Sequence, residues 1–263
     1  MIDHLAVIAG ESDRFVTAIR QADPSAPVPT CPDWTADDLL WHVTEVHGFW
    51  SRILATGALT DADSEACEAD KPPRPADRDA TIDLLIAETG DLLAQLARLD
   101  ASDAAWSWFG PDQTVGFTRR MQVHEAVMHR IDAELTAGLA TASIVNEVAA
   151  DGIAHAVEVM LAWWGTVPGF TFTPAAGVVE LTATDPGRSW LLQPGRWQGV
   201  GESGKEYDVP GVIFAGEGEP KAHLRGTTEQ LDRWLWGRGE EPEASGDAES
   251  LDAVRAAQSQ GMN

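Results

Sequence analysis

Between residues 34 and 56 the chain carries its most regular helical period. Leu39, Val43, Val46, Trp50 and Ile53 recur at steps of three and four residues, so they line one face of an α-helix. The segment opens on Thr35 with Asp38 three residues later, a spacing that lets each side chain cap the other's backbone N–H. A stripe of that length has to be covered, and four other segments carry a comparable one. They are Leu5, Ile8, Ser12, Phe15 and Ile19; Ile82, Leu85, Ile86, Leu93 and Leu96 within Ala80–Leu99; Phe117, Met121, Met128 and Ile131; and Val148, Ile153, Val157, Met160 and Leu161 within Ser143–Trp164. Amphipathic helices that each bury one face are most simply satisfied by packing together, so residues 1–165 read as a helical bundle. Residues 57–79 interrupt it with an acidic stretch containing Pro72, Pro73 and Pro75. That stretch is expected to be a surface loop, either part of a binding rim or inert.

After Trp164 the texture changes. Gly165, Pro168, Gly169, Pro174 and Gly177 break the chain, and short alternating runs follow at Val179–Ala183, Trp190–Leu192 and Val212–Phe214. A further helical segment carries Leu231, Trp234 and Leu235. Residues 166–239 therefore read as a small α+β domain. Residues 240–263, rich in Glu, Ala, Ser and Gly, read as a disordered acidic tail. The fold class is thus mainly α plus α+β.

Charge and cysteine content exclude several functions. With 18 Lys plus Arg against 42 Asp plus Glu, the net charge is −24, which opposes nucleic-acid binding and a basic membrane-surface helix. Leu5–Ala9, the longest apolar run near the start, is too short for a signal segment or a span, so a cytoplasmic protein is expected. Cys31 and Cys67 are too few to staple the chain or to form a thiolate zinc finger, and neither sits in an activating environment. Gly216-Glu217-Gly218 is followed by Glu219-Pro220 and would repel phosphate, and no Gly-x-Ser-x-Gly elbow occurs.

The segment with chemical potential is His124-Glu125-Ala126-Val127-Met128-His129-Arg130. It superficially resembles the zinc-protease signature, but its two histidines are five residues apart. On a helix they diverge by about 140° and cannot share one metal. Glu125 and His129 differ by only about 40° and can converge on one point. Both lie beside the apolar stripe with Asp132, where ionisable groups need a partner or a ligand. One reading is a salt-bridge strip using Arg130. The other is a metal site completed from another helix, with His42 at the border of the second stripe as candidate and His47 as competitor. His124, on the inward arc, reads as a packing or supporting residue.

The run Val28-Pro29-Thr30-Cys31-Pro32-Asp33-Trp34-Thr35, then Asp38-Leu39-Leu40-Trp41-His42, resembles the opening of the mycothiol-dependent maleylpyruvate isomerase family, a group of DinB-like helical bundles. Glu125, His129, Arg130, Asp132, Ala133 and Glu134 resemble that family's second signature, and Leu231–Arg238 resembles its C-terminal one. The likeness covers residues 1–239. It implies a four-helix bundle, a sterol-carrier-like α+β domain, and zinc or another divalent metal held by His42, Glu125 and His129. His124, Asp132 and Arg130 would support these ligands, and Arg238 would bind a substrate carboxylate.

The resemblance further implies that the nucleophile is an external thiol, mycothiol, acting on a small electrophilic substrate. Thiolate addition to a double bond, rotation and elimination would give cis–trans isomerisation. Two other functions fit the same parts: a mycothiol S-transferase that conjugates electrophiles, and a non-catalytic metal-containing carrier of a small ligand.

Overall fold

The computed structural model describes residues 2–185 and 187–260, and the chain divides into two compact units between Ala142 and Ser143. The first unit contains α1 (His4–Ile19), a two-stranded antiparallel ribbon of β1 (Pro27–Val28) and β2 (Cys31–Thr35), α2 (Ala36–Thr56), α3 (Asp61–Ala69), α4 (Arg78–Arg98) and α5 (Val115–Thr136). Four long helices form a bundle in which α2 lies mainly against α4 and α1 mainly against α5. Its core joins Phe15 and Ile19 of α1, Leu39, Leu40 and Val43 of α2, and Ile82 and Leu85 of α4. Each fully buried leucine or isoleucine there contributes about 1.5–3 kcal/mol over an exposed one.

The start of α2 is built as its sequence requires. The Thr35 hydroxyl accepts from the Asp38 N–H at 3.2 Å, and the Asp38 carboxylate accepts from the Thr35 N–H at 3.0 Å. Hydrogen bonds from Thr35, with Arg74 adding to them, hold the Asp38 carboxyl down at about 2. That contribution is present above pH 3.8, the group's ordinary value, and is lost as pH falls through about 2. Thr35→Ala is expected to cost about 1 kcal/mol, read as a Tm lowered by a few degrees.

Two local expectations are corrected in this unit. Residues 57–79 are not simply a loop: Thr60 and Asp63 form a second capping box that starts α3, whose Ser64 and Cys67 are buried. Arg74 and Arg78 then tie the proline segment to Asp38 and Asp37 at the start of α2. In α4, Ile86 is exposed and Leu92 takes the inward position expected of Leu93. Ile86 and Leu93 each follow a buried leucine directly, so they lie about 100° round the helix from Leu85 and Leu92 respectively.

The second unit begins with α6 (Asn146–His155), which continues through a π-helical turn (Ala156–Met160) and a 3-10 turn (Trp163–Thr166). There follow β3 (Thr171–Pro174), β4 (Val179–Ala183), β5 (Ser189–Val200), β6 (Glu206–Phe214), β7 (Ala222–Gly226), α7 (Thr228–Leu235), β8 (Glu243–Gly246) and α8 (Ala248–Gln258). The long β5 pairs with β6 along one edge and with β3 and β4 in succession along the other. β7 joins β4 in parallel, and β8 closes the sheet antiparallel to β7.

The helix expected over Ser143–Trp164 as a bundle member belongs instead to this second unit, because its partners lie here. Gly152, having no side chain, lets the Asp232 carboxylate of α7 sit against its Cα, and its carbonyl accepts from Trp236 Nε1 at 3.2 Å. The Leu161 carbonyl accepts from Trp197 Nε1 at 3.1 Å. The expected disordered tail is likewise ordered through Gln260. β8 completes the sheet, Asp247 caps α8, and Leu251, Val254 and Ala257 bury one side of that helix. Among the described residues no helix is long and apolar enough to cross a membrane.

Candidate metal centre

α5 is buried around almost its whole circumference, yet it carries Thr118, Gln122, His124, His129, Arg130, Asp132 and Glu134 inside. Buried polar groups demand partners, so each has to be accounted for. Arg130, fully buried, donates from Nε to Glu11 at 2.6 Å and from Nη1 to Glu134 at 2.8 Å and to the Ala142 carbonyl at 2.7 Å. Those partners fasten α5 to α1 and to the chain leaving α5, and none of them is a candidate ligand.

On another face of the same helix, starting from the residue before Arg130, the arrangement is different. His42 from α2 and Glu125 and His129 from α5 place one ligand atom each within 4.8 Å of the others. His42 Nε2 lies 3.2 Å from His129 Nε2, and Glu125 Oε2 lies 3.2 Å from the same nitrogen. Three electron-pair donors so close together repel unless a proton or a cation lies among them. Zinc bonds of about 2.0–2.1 Å in a tetrahedron separate ligand atoms by about 3.3 Å, and two imidazoles with one carboxylate are a catalytic zinc donor set. The residues present therefore fit such an ion. Glu125 and His42 are partly exposed, which leaves the centre accessible.

The surrounding groups set the chemistry of His129. Its Nδ1 lies 2.9 Å from Asp132 Oδ2, and Asp132 Oδ1 accepts from the Thr30 hydroxyl at 2.6 Å. With Nδ1–H donated to Asp132, Nε2 faces His42 and Glu125; carboxylate–histidine pairs fix metal ligands in this way. Burial opposes a charged ring, but hydrogen bonds to Asp132 and Glu125 outweigh it and raise His129 to about 9. Trp34 at the end of β2 covers the imidazoles, its ring centre 4.7 Å from that of His42 and 6.4 Å from that of His129.

His47, the competing ligand, is engaged elsewhere. Its Nδ1 lies 2.8 Å from Thr89 Oγ1, whose hydroxyl already donates to the Leu85 carbonyl at 2.7 Å, so the histidine is the donor. Burial lowers its pKa to about 4 against the attraction of Glu125, keeping it neutral. His124 is buried off the converging face. Arg238 lies in the second unit just after α7, buried, with Nη1 donating to the Trp236 carbonyl at 2.7 Å.

This geometry sits within two matched domains. Residues 5–134 match the mycothiol maleylpyruvate isomerase N-terminal domain, and residues 147–253 match the MDMPI C-terminal domain. The chain belongs to the mycothiol maleylpyruvate isomerase family. It is a family of enzymes, and the break between the two matched segments contains the division between the structural units. Among solved structures, the chain is similar to a mycothiol-dependent maleylpyruvate isomerase at TM-score 0.60 and 14% identity, with 94% of each chain covered. A histidine-to-alanine mutant of such an enzyme aligns at TM-score 0.58 and 15% identity, again with 94% of each chain covered. No curated protein matches the sequence.

For this maleylpyruvate isomerase family member, two residues of the centre escape a reading based on helical spacing. Thr30 and Trp34 come from the ribbon, where no periodicity ties them to α5. Their only signal is membership of the run Val28–Thr35, which contains the ribbon turn and leads into α2.

Proposed function

We propose that this chain is a divalent-metal enzyme, with zinc the ion its donor set favours, which uses mycothiol as thiol co-substrate in a cis–trans isomerisation of the maleylpyruvate type. The observation that carries the proposal is the convergence of His42, Glu125 and His129 within 4.8 Å at a partly exposed place. When bound, zinc supplies Lewis acidity that keeps a coordinated thiol deprotonated at neutral pH. His42, Glu125 and His129 would hold the ion. Thr30 and Asp132 orient the His129 ring, and Trp34 screens the imidazoles from water. The role of substrate-carboxylate partner, given to Arg238 by resemblance, forms part of the same proposal; an arginine supplies two parallel donors for a carboxylate. Purified protein assayed with mycothiol and maleylpyruvate, before and after chelation, tests it. Turnover that is lost on chelation and restored by zinc is the expected result, and turnover indifferent to chelator or to thiol overturns it.

The raised pKa of His129 adds a pH prediction. At pH 7 its ring is protonated without metal, so metal binding must displace that proton. Titration calorimetry in buffers of different ionisation enthalpy is expected to show about one proton released near neutrality. A heat independent of buffer contradicts this. In the metal-free protein, the stability contributed by the charged ring is complete below pH 6.5 and is lost as pH rises through about 9.

Asp132→Asn keeps the shape but weakens the hold on His129. It is expected to reduce metal affinity about 10–100-fold in a chelator competition, with the fold retained. Undiminished affinity would remove Asp132 from the centre.

A further inference from the structure

One stripe of α5 leads away from the candidate metal centre and carries buried polar groups with no hydrogen-bond partner among the described residues. Gln122 is fully buried, and neither its amide oxygen nor its amide nitrogen has a hydrogen-bond partner among the described residues. Flipping the amide therefore does not satisfy it. One turn earlier the Thr118 hydroxyl, also fully buried, is equally without a partner among the described residues. A helical threonine ordinarily donates to the carbonyl four residues back, as Thr44, Thr89 and Thr136 do here at 2.8, 2.7 and 2.7 Å. Thr118 declines that local partner. On the helical projection Thr118 and Gln122 flank His129, each within about 20°, and Glu125 lies about 40° from it. Gln122 stands one turn from Glu125, about 4.5 Å along the axis.

We infer that Gln122 and Thr118 form a recognition subsite beside the metal centre, which takes the neutral amide or hydroxyl part of a thiol whose sulfur reaches the metal. The inference rests on the thiol-enzyme reading above and adds residues that select the thiol. The subsite is uncharged and offers both donors and acceptors, so its complement is a neutral group offering both. A two-carbon spacer places an amide about 4–5 Å from a sulfur, close to the rise of one helical turn. A thiol bearing an amide at that distance can meet both places at once, and a thiol without one leaves Gln122 unsatisfied.

The test compares N-acetylcysteamine, a neutral thiol with such an amide, with 1-propanethiol, which has none. Each is titrated into the cobalt-substituted full-length protein and followed by the thiolate-to-cobalt absorption band. Wild type is expected to bind N-acetylcysteamine the more tightly. Gln122→Leu is expected to lose at least about tenfold of that affinity, the worth of one buried hydrogen bond, while its cobalt content and propanethiol affinity stay unchanged. Thr118→Val, nearly isosteric, is expected to lose less in the same direction, and it decides the matter if Gln122→Leu does not fold. An unchanged ratio of the two affinities overturns the inference and leaves Gln122 a residue that holds internal water. A wild-type cobalt protein that binds neither thiol overturns the thiol-enzyme reading, and this inference with it. Binding of both thiols without discrimination overturns this inference alone.

Discussion

Replacing His129 by alanine is expected to remove most of the bound metal and, with it, thiol-dependent turnover. The imidazole is the shared neighbour of the other two ligand atoms, at 3.2 Å from each. Without it, His42 and Glu125 offer an ion two ligands from two helices. The loss should exceed the ~10–100-fold that follows from changing a group behind a ligand. His124→Ala and His155→Ala act as controls and are expected to retain metal, since neither residue shares the converging set. Elemental analysis of the purified variants decides the point, and full metal retention in His129→Ala would sink the site. His42→Ala and Glu125→Ala should follow His129→Ala.

Arg130→Leu is expected to have the largest effect on stability. The guanidinium is fully buried between Glu11 and Glu134 and also donates to the Ala142 carbonyl. Removing it leaves two carboxylates in a site with little water, a change that costs about 3–5 kcal/mol. Lysine should recover only part of that, because one ammonium cannot replace a planar fork holding three partners. Urea unfolding measures the difference; a change below about 1 kcal/mol would show that the carboxylates relax to solvent or take up protons. Arg130 directly follows the candidate ligand His129 on α5, so metal content of Arg130→Leu should be measured on protein shown to be folded.

Helical spacing alone brings together two of the three converging residues. Glu125 and His129 stand four residues apart beside an apolar stripe, and their convergence follows from the pitch of any α-helix. It was not enough to choose between His42 and His47, which lie five residues apart on α2. That choice depends on what surrounds each ring: α4 supplies Thr89 to His47, and α5 brings His129 opposite His42. The resemblance to a family selected His42 for a reason independent of geometry. Thr30 and Trp34 have no role legible from spacing, because contacts between a ribbon and a helix about a hundred residues away leave no local pattern.

The second unit shows the same division between local and distant information. The period over Val148–Val157 correctly announced a helix but not its neighbours, since an apolar stripe is indifferent to which surface covers it. The acidic composition after Glu240 concealed a strand and a helix whose buried apolar residues are Leu251, Val254 and Ala257. Sheet closure by β8 supplies order that the segment's own composition does not suggest.

What the sequence by itself determined is the set of things that depend on residues a few positions apart. These are the four long helices, the capping box at Thr35, the pairing of Glu125 with His129, and a net charge of −24. Only the tertiary structure shows His42 beside that pair and Thr30 and Asp132 behind it, and Gln122 buried on the same face with no hydrogen-bond partner among the described residues. The physical reason is that such a cluster closes through space: His42 comes from α2, Glu125 and His129 from α5, and their meeting depends on how those helices are rotated against one another.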